Sequence, residues 1–336
     1  MDDRILLDHG SGGLASQDLI SSLFLRHLTD PVLHQLEDAA VLPQVLGNLV
    51  FSTDSYVVDP VFFPGGSIGE LAVNGTINDL AMRGARPHCL SLGLILEEGL
   101  AVGDLERIIR SIAAACEYAG VPVVTGDTKV VPRGKADRIF INTSGIGIVD
   151  RDVKVSTAQA RPGDVILLSG SLADHGITIL TSREGLQVDG RLESDTRPLH
   201  FLVREIIAAA GDAIHTMRDP TRGGLGTALS EIARSTDLCM EIEEQAIPMR
   251  PQVRAACELM GLDPLYLANE GKCIVLVAPE QARAVLQRMR SVAEGKESAI
   301  IGRVTRRHPG RVILTTIAGG TRLVEPLTGE PLPRIC

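Results

Sequence analysis

The last of the 336 residues is a cysteine, Cys336, at the end of a segment, Pro326 to Cys336, that holds three prolines and no apolar period. Such a segment reads as an extended tail, and eleven extended residues span roughly 33–40 Å, enough to cross from a domain surface into a cleft. A prenylation signal needs its cysteine four residues from the end, so lipidation does not explain this one. A thiol on a mobile arm suits a carrier that collects a group at one site and delivers it to another, the alternative being a cysteine that merely happens to end the chain. The α-carboxylate beside the thiol should raise its pKa, with Arg334 partly offsetting that. The other five cysteines, at 89, 116, 239, 257 and 273, lie among apolar neighbours and form no C-x-x-C pair. They read as small core residues, not as metal ligands or redox dithiols.

A second group of residues suits phosphate and cation chemistry. Asp38, Asp54, Asp79, Asp127 and Asp219 are lone carboxylates in segments otherwise short of charge, each with Gly, Thr, Ser, Asn or Ala within two residues. A hard divalent cation bound with a nucleotide needs a few such oxygens, with water and phosphate completing its shell. Each Asp taken singly could equally cap a helix or make an Asx turn. The run His9, Gly10, Ser11, Gly12, Gly13 precedes an expected helix, as Gly223 and Gly224 do, and backbone N–H groups there could line a polyphosphate. Neither run is a Walker loop or a dinucleotide fingerprint. Lys129 follows Asp127 by two residues and could meet a phosphate or make a surface ion pair. Asn269 and Glu270 come just before a strand, where Glu270 could act as a general base or be a solvated loop residue.

The elements that must position these groups are mixed. Strands are expected at 49–52, 138–149, 164–169, 272–278, 299–305 and 311–317, each rich in Ile, Val and Leu and bounded by Gly, Pro or Asp. A helix follows from the stripe Leu105, Ile108, Ile109, Ile112 and Cys116, ending at Gly120. Others are expected at 14–28, 67–83, 199–209, 222–235, 251–260 and from Pro279. Strands and helices alternate without a regular βαβ count, which predicts two α+β domains with a boundary near residues 160–163. With 44% hydrophobic residues, 3% aromatics and no Trp, aliphatic packing and Gly-rich turns carry the fold. Lys and Arg number 33 against 42 Asp and Glu, a net charge of −9 that argues against nucleic-acid binding. No apolar run is long enough to span a membrane, and Met1-Asp2-Asp3-Arg4 lacks a signal-peptide layout, so a cytoplasmic protein is expected.

These residues together resemble the HypE family of hydrogenase maturation factors. The likeness runs through His9 to Gly13, Phe51 to Asp59, Phe62 to Gly66, Val124 to Val131, Asp174-His175-Gly176, Asp219 to Gly224, Asn269 to Lys272, and Pro333-Arg334-Ile335-Cys336. The terminal Cys is the most specific point. The acidic turns alone would match the wider aminoimidazole ribonucleotide synthetase-like ATP-binding superfamily equally well. The resemblance implies a two-domain α/β (α+β) fold. An N-terminal ATP-binding and dimerisation domain, 1–160, would form a composite barrel with that of a second copy. A C-terminal α+β domain, 161–325, and a flexible tail, 326–336, would follow. It implies ATP and Mg²⁺ as cofactors, with Asp38, Asp54, Asp79, Asp127 and Asp219 on the metal. His9 to Gly13, Asp54, Asp127, Thr128 and Asn269 would line the nucleotide. It also implies ATP-dependent dehydration of an S-carbamoyl group on Cys336 to a thiocyanate, the source of the cyanide ligands of nickel–iron hydrogenase. Glu270, Lys129 and, more weakly, His175 are the candidates for proton transfer. The implied partners are a HypF-like carbamoyltransferase, HypC/HypD-like iron scaffolds and a second copy of the chain. Two readings compete with it. One is a related ATP-dependent enzyme that phosphorylates a small diffusible substrate; the other is a non-catalytic thiol carrier.

Overall fold

The computed structural model describes residues 3–186, 190–327, 329 and 334–336; the middle of the expected tail, 328 and 330–333 with Pro331 and Pro333, lies outside them. The chain begins with a broken helical segment over 14–27, in which a π-helical turn, Ile20–Phe24, interrupts α-helix. In chain order there follow β1 (Asn48–Tyr56), α1 (Ile68–Met82), β2 (Arg86–Glu97), α2 (Val102–Ala119), β3 (Val123–Val131) and β4 (Ile139–Val149). The second half runs β5 (Val165–Leu168), α3 (Asp174–Glu184), α4 (His200–Ala210), β6 (Ile214–Arg218), α5 (Gly224–Thr236), β7 (Cys239–Glu243), α6 (Pro251–Met260), β8 (Ile274–Val277), α7 (Ala282–Arg290), β9 (Ala299–Thr305), β10 (Val312–Thr315) and β11 (Thr321–Val324).

The first half folds into a four-stranded sheet in the order β1-β4-β2-β3, antiparallel except where β2 and β3 run together. One face is covered by α1, which Ser67 caps by accepting the Gly69 N–H, and by α2, which stops at left-handed Gly120. Helix α1 is buried on all sides because it also packs on α4 of the second half. The other face of the sheet is open. Leu49 is 65% exposed and Phe51 68% exposed on β1, with Ile95 on β2 also bare. The second half folds around a seven-stranded sheet in the order β11-β10-β7-β9-β5-β8-β6. Its central strands β5 and β8 are almost wholly buried, as continuous Val/Ile/Leu runs require when both faces are covered. Five cysteines are buried in these cores and none is paired with another.

The mixed α/β architecture agrees with expectation, but two details do not. Strand β1 runs on to Tyr56, so Asp54 lies within it, and Asp127 lies within β3; Asp79 sits in the last turns of α1, the helix expected over 67–83. The carboxylates expected in turns are therefore held mostly by regular elements.

Candidate active site

In an extended strand successive side chains alternate between faces, so Ser52, Asp54 and Tyr56 of β1 turn toward α1. There the Ser52 hydroxyl donates to Asp79 Oδ2 at 2.7 Å. Asp219 follows β6 of the second sheet, and the three carboxylates line one cleft of about 420 Å³ with Arg218 and Arg222. Burial pushes the Asp219 carboxyl up to about 7, with Asp79 and Asp54 adding to it. Burial raises Asp79 as well, against the Ser52 hydrogen bond. The hard oxygens of these three carboxylates, gathered in one cleft, suit a divalent cation. Among the described residues no three His, Cys, Asp or Glu side chains stand close enough to hold a metal ion. The chain thus offers part of a cation shell, and an incoming polyphosphate would have to supply the rest.

Arg222 joins this cleft to the chain terminus. Its Nη2 meets Asp54 Oδ1 at 3.1 Å, and its pKa is raised first by Cys336 and then by Asp54 and Glu270. Burial, and then the Glu270 charge beside it, lifts the Cys336 thiol well above its ordinary value. Glu270 is itself 3% exposed, its Oε1 has no hydrogen-bond partner, and burial followed by Asp195 pushes its carboxyl far up. The tail cysteine is therefore seated against the expected general base.

Glu270 is held from behind. Asp195 accepts the Glu270 N–H at 3.1 Å and the Gly271 N–H at 3.2 Å, and pairs with Lys272 Nζ at 3.0 Å. Burial works against the Asp195 charge, but Lys272, His175 and the Glu270 amide hold the carboxyl below its usual range. Gly271 passes so close to the Asp195 carbonyl that no Cβ fits. Asn78 of α1 donates to the Glu270 and Arg197 carbonyls and accepts the Leu199 N–H, so the turn is tied to both halves.

A second group of expected residues gathers elsewhere. Gly10 of the His9–Gly13 run lies flat against Val130 of β3, again with no room for a Cβ. His9, Gly10 and Gly12 of the run, with Asp127, Thr128 and Lys129, line a cavity of about 210 Å³. Lys129 Nζ meets Asp127 Oδ1 at 3.0 Å, and that ion pair holds the Asp127 carboxyl below its usual range.

Four of the expected residues are placed apart from the Asp54–Asp79–Asp219 cleft or have their polar atoms already engaged. Asn269 is fully buried; its Oδ1 accepts the Ala173 N–H while Nδ2 donates to the Pro220 and Leu267 carbonyls, so its amide fixes loops and is taken up before a nucleotide arrives. Asp38 is exposed in an irregular stretch and lines neither cavity. Lys129 lies with Asp127 in the second cavity, and within one chain it is not brought to Glu270. His175 has both ring nitrogens engaged, Nδ1 with Ser194 Oγ and Nε2 with the Ile335 carbonyl, each at 2.8 Å. Arg222 and Asp195 went unassigned from the sequence. Arg222 stood inside the Asp219–Gly224 run, a signal that could have been used, whereas nothing in the local pattern marks Asp195.

Residues 36–149 match the model of the N-terminal domain of AIR synthase related proteins, and residues 161–315 match that of their C-terminal domain. Carbamoyl dehydratase HypE of Azotobacter vinelandii is 54% identical over 328 residues, 98% of this chain and 96% of that protein. The chain belongs to the HypE carbamoyl dehydratase family. A solved HypE structure, described as hydrogenase maturation protein HypE in complex with ATP, is 51% identical and superposes with a TM-score of 0.95 over 98% of this chain and 99% of that one. A HypE chain solved as a HypE–HypF complex is 45% identical, with a TM-score of 0.81 over 92% of this chain and 99% of that one. The family accounts for the two-domain fold.

Proposed function

We propose that this carbamoyl dehydratase of hydrogenase maturation carries its substrate on its own terminal thiol and activates it with ATP. The observation that carries this reading is the placement of Cys336 between Glu270 and Arg222, next to the Asp54–Asp79–Asp219 cleft. A HypF-like transferase would load a carbamoyl group onto Sγ, giving a thiocarbamate. Its oxygen is a poor leaving group until the γ-phosphoryl of ATP is transferred to it, releasing ADP. The phosphorylated group keeps two N–H protons. Loss of the first gives an imidate, and loss of the second expels phosphate and leaves S–C≡N on Cys336. Glu270, desolvated and with one oxygen free, accepts a proton from nitrogen, while Arg222 offsets the charge of the departing phosphate. Asp54, Asp79 and Asp219, with Asp127, would hold Mg²⁺, which supplies charge neutralisation on the polyphosphate when bound.

The two half-sites belong together in a dimer. Ser55, next to Asp54, is in register through Asn142 and Gly93 with Asp127, so Asp54 and Asp127 stand at one level of the sheet on opposite edges. Closing two such sheets into a barrel over the open Leu49, Phe51 and Ile95 face, β1 against the partner's β3, would bring the halves together. HypC/HypD-like scaffolds would then receive the cyano group from the withdrawn tail. Intact-protein mass tests the chemistry. With transferase, carbamoyl phosphate and ATP the chain should gain one carbamoyl and then lose one water, while Cys336→Ala gains nothing. A diffusible-substrate kinase would leave Cys336 unmodified while turning over ATP. No helix among the described residues is long and apolar enough to cross a membrane.

A further inference from the structure

We propose that His175 is a positioning residue for the tail, the centre of a seat that reads the last three residues of the chain by their backbone and by one apolar side chain. The proposal rests on the reading above, in which Cys336 carries the reacting group, and says how that thiol is aimed.

The seat has four contacts. Ile335 pairs as an antiparallel bridge with Val58, and the Asp59 N–H donates to the Arg334 carbonyl at 3.2 Å, so the terminus is added as a short strand beyond β1. Arg183 of α3 clasps the same junction, donating from Nε to the Asp59 carbonyl at 2.9 Å and from Nη2 to the Arg334 carbonyl at 2.6 Å. Arg334 adopts a left-handed φ of 55°, a conformation that non-glycine residues take only when their surroundings hold them there. That turn sends the Ile335 side chain into the first core, where it is 5% exposed. The Ile335 carbonyl then meets His175 Nε2 at 2.8 Å, and Cys336 is the next residue.

The proton order around His175 follows from its partners. A carbonyl oxygen only accepts, so Nε2 carries the hydrogen and donates it. Ser194 Oγ already accepts the Thr196 N–H at 3.1 Å and has one hydrogen of its own to give, which goes to Nδ1. Full burial favours this neutral ring, and Phe63 fixes its plane by an edge contact at 5.6 Å. A ring committed at both nitrogens holds the tail and does not shuttle protons. Ser194 orients His175, and its neighbour Asp195 orients Glu270. One dipeptide therefore aligns the thiol with the carboxyl it meets.

The test is the reaction of Cys336 with iodoacetamide in the full-length protein, without ATP or carbamoyl donor, located by fragment mass. The other five cysteines are buried. Losing the imidazole hydrogen bond or the apolar anchor should raise the alkylation rate about tenfold, the ratio that one buried hydrogen bond sets. His175→Ala and Ile335→Ser should both show it, the latter at the chain end where folding of the domains does not depend on it. His175→Gln, which keeps an N–H donor, should restore much of the protection. In single-turnover dehydration the same two variants should slow the step while leaving half-saturating ATP unchanged. Unchanged alkylation in both variants would overturn the seat, as would His175→Gln behaving like His175→Ala. If the thiol is unmasked in these variants but carbamoyl is never found on Cys336, the seat stands and the function reading is what fails.

Discussion

Glu270 shows how burial sets the chemistry of one residue. To take a proton from nitrogen its carboxyl must be ionised, and burial followed by Asp195 raises its pKa well above 4.5. Dehydration should therefore be lost as pH falls through that raised value, placing the acid limb of a single-turnover pH profile well above that of an ordinary carboxylate. Glu270→Gln should slow the step by about 10²–10⁴ while carbamoyl loading continues, as mass spectrometry would read. Asp174 gives a stability counterpart. Burial lifts its folded pKa from 3.8 to about 6, so the folded chain binds the extra proton between those values and stability falls as pH rises through them. Asp174→Asn should stabilise the protein by about 1–3 kcal/mol near pH 8 in thermal melts, and by roughly half as much near pH 5. Both residues stood inside runs quoted from the sequence. Their raised pKa values were not legible there, because burial and the approach of Asp195 are properties of the fold.

At the scale of elements, strands made of continuous aliphatic runs were legible, and strands carrying function were not. β4 and β9 matched expectation to within a residue, whereas β2, β3, β6 and β7 and helix α3 were not anticipated. Residues Gly126 to Lys129 have the composition of a turn, yet pairing with β2 holds them extended. β1 was expected to end at Ser52, before Asp54; the polar residues Thr53 to Ser55 stay in the strand because β4 pairs with them to Tyr56. The turn 269–272 depends on close backbone approach. Gly271→Ala would force it away from Asp195, and should destabilise the protein by about 1–3 kcal/mol in denaturant melts and slow dehydration with it.

The candidate phosphate-binding residues fall into two groups, Asp54 with Asp79 and Asp219 in one cleft and Asp127 with Thr128 and Lys129 at the opposite edge of the first sheet. The residue pattern by itself held no sign of this division; a barrel shared with a second copy came only from the family resemblance, and the open, apolar face of the first sheet is consistent with it. If the site is shared between subunits, Asp127→Asn and Asp219→Asn should each be inactive alone. Mixed and reassembled, they should recover about a quarter of wild-type turnover, since half the dimers are then hybrid with one intact site of two. The most direct test of the central claim follows the carbamoyl oxygen. Cys336 is loaded with a heavy-oxygen-labelled carbamoyl group, ATP is added, and the phosphate released in one turnover is analysed by mass. ATP-activated dehydration on the tail thiol predicts the label in inorganic phosphate and a cyano group on Cys336. Label found in water, or phosphate released unlabelled while Cys336 keeps its carbamoyl, would contradict it.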